Sequence, residues 1–197
     1  MSNGASYDYA TEGATHHGAG DVQALLSIPG VAIAIPGAAA EVDVLLRHAH
    51  TQDAVSYLRT SEQSNLSARP ILPGRVLPVR EGRRGTVVAV GPLLDTTLAA
   101  VGDLDVAVVY ATTIAPFDCE GLRAALAPDG PVIAVEPMYA GSLAFTLVEA
   151  LGEDVRRIVE IGVPRRVLAA YGERADLDAL AGLDVAGVRR QVRAALP

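Results

Sequence analysis

Glu12-Gly13-Ala14-Thr15-His16-His17 decides how this chain is read, together with Asp21, the apolar run to Ile28, Pro29-Gly30 and Val31-Ala32-Ile33-Ala34-Ile35-Pro36. Glycine and threonine ahead of paired imidazoles, then a helix-length stretch and a β-branched apolar run, place His16 and His17 on a loop at a helix start. Loops in that position face ligands. Two readings of the pair stay open: contact with a substrate, or satisfaction of the loop's own backbone groups.

Outward from that loop, residues 2–19 are rich in Gly, Ala, Tyr and His without periodicity and read as an extended loop, with Tyr7 and Tyr9 as anchors. Asp21 to Ile28 reads as a short helix closed by Pro29-Gly30, and Val31 to Ile35 as a buried strand. Val42, Leu45, Leu46 and Ala49 recur at helical spacing, which turns them inward and leaves Glu41, Asp43, Arg47 and His48 outside. Val55 to Leu58 returns as a strand. His48 and His50 lie at the polar end of the helix without a third ligand nearby, so solvation is favoured over metal binding. From Thr60 to Arg84 the composition shifts to Ser, Gln, Asn, Pro, Gly and Arg, with Pro70, Pro73 and Pro78 blocking a regular helix. Residues 67–84 are therefore expected as an interdomain linker, ending in the solvated run Arg80-Glu81-Gly82-Arg83-Arg84.

Strand and helix then alternate through residues 85–197. Thr86–Val90, Val106–Tyr110, Val132–Val135 and Ile158–Ile161 are continuous apolar strands. Between and after them, Leu94/Leu98/Val101, Asp118 to Leu126, Ala144/Leu147/Val148/Leu151, Leu177–Leu180 and Val185–Ala195 carry helical spacing. Asp118 is placed to cap its helix, with Glu120 in the first turn. Uninterrupted apolar strands between helices predict an α/β domain whose mostly parallel sheet is covered on both faces. No Gly-x-Gly-x-x-Gly follows any strand, which argues against dinucleotide binding.

Composition excludes several functions. Half of the 197 residues are hydrophobic, enough for a real core. A net charge of −7 and a pI near 5.0 argue against nucleic-acid binding. All 16 basic side chains are arginine, which removes lysine Schiff-base chemistry, pyridoxal-phosphate anchoring and P-loop phosphate binding. The single cysteine, Cys119, precludes an internal disulfide and reads as a packing residue. No apolar run reaches about 18 residues, and the polar Met-Ser-Asn-Gly start lacks a signal peptide's features, so a cytoplasmic protein without membrane contact is expected.

Glu12 to His17, followed by Asp21-Val22-Gln23-Ala24-Leu25-Leu26-Ser27-Ile28-Pro29-Gly30, resembles the Glu/Asp-Gly-Pro-Thr-His segment and following turn of transketolases and deoxyxylulose-phosphate synthases. Ile35-Pro36 with Glu41 and Val55 to Arg59 resemble later landmarks of their pyrimidine domain. Thr112 to Asp118, Val135-Glu136-Pro137 and Ile161-Gly162-Val163-Pro164 follow in the order of their C-terminal domain. The resemblance implies a partial pyrimidine-type α/β domain over residues 1–66 and a three-layer α/β/α C-terminal-type domain over 85–197.

In that family, thiamine diphosphate and Mg²⁺ lie between domains, and a glutamate of the pyrimidine domain activates the coenzyme. The Gly-Asp-Gly motif of the Mg²⁺-binding domain and the segment carrying that glutamate are not in this sequence. The resemblance thus implies no cofactor or metal site in the chain alone, and thiamine diphosphate with Mg²⁺ only in complex with partner subunits. Those partners would be a diphosphate-binding subunit and a source of the missing half of the pyrimidine domain. His16 matches the histidine that contacts the sugar, a catalytic role in the assembly only, and Glu12 replaces the usual aspartate that reads a hydroxyl. Thr15, His17 and Arg59 complete the expected substrate-binding set. Glu62 stands where the family carries a phosphate-clamping arginine, which predicts a substrate without phosphate at that end. Missing leading strands would leave a sheet edge and apolar surface to cover, hence a homodimer or hetero-oligomer. The resemblance therefore implies two-carbon ketol transfer by a split enzyme, the chain being inactive alone; the alternative is a non-catalytic assembly or small-molecule-binding protein with the same fold.

Overall fold

The computed structural model describes Ser2 and residues 4–197. Met1 and Asn3, part of the polar start and of the expected first domain, lie outside the described residues. Helix α1 is Asp21–Leu25, strand β1 is Ala32–Ala34, helix α2 is Ala39–His50 and strand β2 is Ser56–Leu58. β1 and β2 pair in parallel, with α2 as the crossover. Leu45 is buried as its spacing requires, whereas Leu46 is exposed. Glu41, expected outside, is only 1% exposed. Its carboxylate accepts hydrogen bonds from the Gly37 and Arg69 amides, both at 2.8 Å, and from the Tyr110 hydroxyl at 2.7 Å. Buried acids are tolerated where donors surround them, and these donors come from beyond the helix.

The stretch 67–84, read as a linker, contains strand β3, Leu77–Arg80. Its Pro78 is tolerated because β3 is the edge of the sheet. Arg80, placed in a solvated run by its neighbours, instead donates to the carbonyls of Val101, Leu104 and Val106.

The remaining elements are β4 (Thr86–Val90), α3 (Leu94–Ala100), β5 (Ala107–Ala111), β6 (Thr113–Ala115), α4 (Cys119–Ala124), β7 (Val132–Tyr139), α5 (Ala144–Leu151), β8 (Ile158–Val163), α6 (Arg174–Ala181) and α7 (Val185–Ala195). The larger sheet has the order β3-β5-β4-β7-β8, parallel except for β3. Side chains of period two divide the interior into two cores. Val87, Ala89, Val108, Ile133 and Val135 pack with Leu94, Leu177, Val188 and Val192 on one face. Val88, Val90, Val109, Val132 and Ala134 pack with Leu122, Leu147 and Leu151 on the other. This is the three-layer α/β/α arrangement. Asp118 caps α4, its side chain accepting from the Gly121 amide at 3.0 Å. Cys119, half-buried, packs against the second core. Val148, expected inward on α5, is exposed, and Leu147, Ala150 and Leu151 form the buried face.

The smaller sheet has the order β2-β1-β6, and its third strand comes from the second domain. β6 pairs antiparallel with β1, and the Ile35 amide donates to the Thr112 carbonyl at 2.7 Å. The two domains therefore share a sheet as well as a core.

Candidate functional site

The Glu12–His17 stretch lies in a loop closed at its base. Ser6 and Gly18 exchange both backbone hydrogen bonds, at 3.0 and 2.7 Å, so residues 7–17 form one excursion whose ends are pinned together. Within it run two short 3₁₀ turns, Ala10–Glu12 and Ala14–His16, rather than the extended chain expected. Gly13 between them has φ 75°, a left-handed conformation that favours glycine.

Arg59 holds the base of this loop. Its Nε donates to Asp21 Oδ2 at 2.7 Å, and one terminal nitrogen donates to Ser6 Oγ and the Gly18 carbonyl, each at 3.2 Å. Tyr57 adds a hydroxyl to the same Asp21 oxygen at 2.7 Å, and Ser6 in turn donates to the Pro137 carbonyl across the domain junction. Arg59 has 1% of its side chain exposed in this chain. Asp21 offers a carboxylate at the end of the strand, and one guanidinium nitrogen of Arg59, Nη1, stays buried without a partner.

The paired imidazoles have separate surroundings. His16 is exposed; its Nδ1 lies 3.0 Å from Thr15 Oγ1, and its ring meets the Tyr9 ring edge-on at 6.2 Å. Thr15 thereby orients the ring through one nitrogen, and Glu12 presents its carboxylate on the same exposed excursion. His17 is turned inward instead: half-buried, edge-on to Tyr7 at 6.2 Å, with Nε2 buried and without a hydrogen-bond partner. Burial first, and then the neighbouring His16, push the His17 pKa below the ordinary imidazole value. His17 thus faces the interior of the loop while His16 is exposed. Successive residues in a tight turn point different ways, a distinction that composition does not carry.

Residues from the second domain support the loop, and the pattern of the sequence did not point to them. The Tyr7 hydroxyl donates to Asp178 at 2.6 Å, and burial pushes both pKa values up. Arg174 stacks over Tyr7, 5.1 Å from the ring centre, pairs with Asp8 and reaches Gln63 at 2.7 Å. Asp8 also accepts from Ser61 Oγ at 2.7 Å and from the Glu62 amide at 3.2 Å, leaving the Glu62 side chain exposed. The expected anchoring role of Tyr7 is thus realised.

Among the described residues, no group of three or more His, Cys, Asp and Glu is placed to hold a metal ion. The buried carboxylates of Glu41 and Glu136 are both engaged by donors inside the chain. Among the described residues, no helix is long and apolar enough to cross a membrane.

A covered α/β/α domain thus shares a sheet with a smaller α/β unit that carries a threonine-histidine loop. The transketolase pyrimidine-binding-domain model matches residues 2–66, and the transketolase C-terminal-domain model matches residues 74–188. The chain belongs to the transketolase family. It is 36% identical over 199 residues to an uncharacterized 33.6 kDa protein of the fasciation locus of Rhodococcoides fascians, covering 100% of this chain and 64% of that one. It is 30% identical over 180 residues to the 1-deoxy-D-xylulose-5-phosphate synthase of Rhodopirellula baltica, covering 85% of this chain and 28% of the synthase. Among solved structures, a split-gene transketolase in the form of an inactive β4 tetramer superposes with a TM-score of 0.80 at 24% identity, over 98% of this chain and 64% of that one. Transketolase from Campylobacter jejuni also gives 0.80, at 17% identity, over 98% of this chain and 30% of the enzyme. The chain therefore spans less than two thirds of these relatives and corresponds to their C-terminal part.

Proposed function

We propose that the chain is the C-terminal component of a split thiamine-diphosphate-dependent transketolase-like enzyme, inactive alone and active in two-carbon ketol transfer once joined to cytoplasmic partner chains. The observation that carries this reading is the exposed His16, held through Nδ1 by Thr15 on a loop clamped at its base. A histidine so oriented can hydrogen-bond a hydroxyl or a developing oxyanion near a reacting carbonyl. Glu12, on the same excursion, can accept from a substrate hydroxyl. The coenzyme and its Mg²⁺ would be held by the partners; the lack of a cluster of three metal-ligating side chains among the described residues supports this reading. Because Arg59 is buried against Asp21 and Glu62 is an exposed carboxylate, the donor end near them carries no phosphate.

The test is to recover the chain with its partners from the native host and to measure thiamine diphosphate binding and ketol transfer, with fructose 6-phosphate compared against its dephosphorylated and amino analogues. His16→Ala should lower kcat/KM by about 10²–10⁴-fold while leaving assembly and thermal stability unchanged, since the side chain is exposed. Coenzyme uptake and turnover by the chain alone, or a preference for the phosphorylated donor, would contradict the proposal. A second reading, a non-catalytic assembly subunit, draws on the apolar groove of about 520 Å³ along β1, β2 and α2. A partner complex that forms normally but neither binds the coenzyme nor turns over would favour it.

A further inference from the structure

The geometry points to a separate anion site on the seam between the two domains, in which His17 and Arg166 bind a carboxylate-sized monoanion. It goes beyond ketol transfer and concerns the chain by itself. The site is a cavity of about 60 Å³ lined by Ser6, Tyr7, His17, Tyr139, Arg166 and Leu168 among others. A single water requires about 10–15 Å³ on the same measure, so there is room for a group of three or four heavy atoms. Polar atoms of the wall divide into those already engaged and those left over. The Ser6 hydroxyl donates to the Pro137 carbonyl and the Tyr7 hydroxyl to Asp178. His17 Nε2 is buried with no partner.

The two adjacent arginines after β8 differ in the same way. Arg165 donates to the Ala140 carbonyl at 3.0 Å and to Gln23 at 2.8 Å, and lies over the Tyr139 ring. Arg166 lines the cavity and, among the described residues, has no side-chain hydrogen bond or ion pair. None of the lining residues is acidic. The cavity wall therefore carries an arginine and an imidazole with no partner inside the chain, and a guanidinium beside an imidazole in its Nε2–H tautomer selects an oxygen anion. Because burial keeps His17 toward its neutral form, the single charge of Arg166 matches one negative charge. A planar carboxylate satisfies both the volume and the charge. A phosphate, with five heavy atoms and a charge between −1 and −2 at neutral pH, fits both less well.

The test is a titration of the full chain with sodium formate, acetate, phosphate and chloride at constant ionic strength, following the His17 Cε1–H resonance by NMR. Formate and acetate should shift it saturably, with affinity reduced at least tenfold in Arg166→Ala and unchanged in Arg165→Ala. Both arginines are exposed, so neither variant endangers the fold, and the remaining histidine resonances report on its integrity. No saturable shift with either carboxylate, an equal response in Arg166→Ala, or tighter binding of phosphate or chloride would overturn the assignment. Neither coenzyme nor partner is used, so failure here leaves the ketol-transfer reading untouched, and the reverse holds too.

Discussion

Glu136 illustrates how one residue can be set against its surroundings. It is fully buried on β7, accepting from the amides of Gly141 at 2.6 Å and Leu143 at 3.1 Å. Burial pushes its carboxyl from the ordinary 4.5 up to about 8; the nearby Glu160 adds to the rise and the amide donors oppose it. A carboxyl whose pKa is higher in the folded chain binds its proton more tightly there. Its stabilising contribution is complete below about pH 4.5 and is lost as the pH rises to about 8. Through that window it lowers the unfolding free energy by up to about 1.4 kcal/mol per pH unit. Glu136→Gln should flatten the pH dependence of urea-unfolding stability between those limits; a variant that keeps the wild-type slope would show that other groups set it. The residue was visible in the sequence only as part of Val135-Glu136-Pro137. Its burial follows from the return of the chain at Gly141 to Leu143, and a single strand cannot announce that.

At the scale of the element, the 6–18 excursion depends on Arg59 more than on any residue within it. Removing one partner from a buried, hydrogen-bonded ion pair costs about 3–5 kcal/mol, and the partial exposure of Asp21 places this pair at the lower end. Arg59→Ala should therefore destabilise the chain by about 3 kcal/mol and speed hydrogen exchange at the Ser6 and Gly18 amides. Arg59→Lys should rescue little, because an ammonium cannot reach Asp21, Ser6 and Gly18 together. Exchange at Ser6 and Gly18 left at the wild-type rate in Arg59→Ala would show that the loop holds itself. The spacing of Val42 and Leu45 located helix α2 correctly but assigned the wrong face to Glu41 and Leu46. Periodicity reports one apolar stripe, and α2 contacts the rest of the protein along a direction partly set by Tyr110 and Arg69, outside the window that the pattern spans.

For the molecule as a whole, shared structure predicts shared unfolding. β6 of the second domain completes the sheet of the first, and Tyr7, Leu45 and Leu58 belong to the same core as Val87 and Val108. Denaturation should be a single transition with coincident tyrosine-fluorescence and circular-dichroism midpoints; two resolved transitions would refute the coupling. Tyr110→Phe withdraws a donor from the buried Glu41 at the junction and should lower stability by about 1–3 kcal/mol, without splitting the transition. The groove along β1, β2 and α2 adds an expectation about assembly. β2 lies at the edge of its sheet, covered at its end only by the Ser2 bridge, and the adjoining wall is apolar, so the chain should self-associate or bind a partner at micromolar concentration. Sedimentation as a monomer throughout that range would count against it.

Sequence by itself determined the class of fold, the alternation of the main strands and helices of residues 85–197, and the candidate loop, because apolar periodicity, helix caps and the Glu12–His17 motif are all local. It also established the absence of lysine and the chemistries which that excludes. Only the tertiary structure decided that Arg59 is a brace, that His16 and His17 diverge, that residues 77–80 form an edge strand, and that the second domain lends β6 to the first. Each of these depends on contacts between residues far apart in the chain, where burial and hydrogen-bond donors are supplied by a partner that no local window contains.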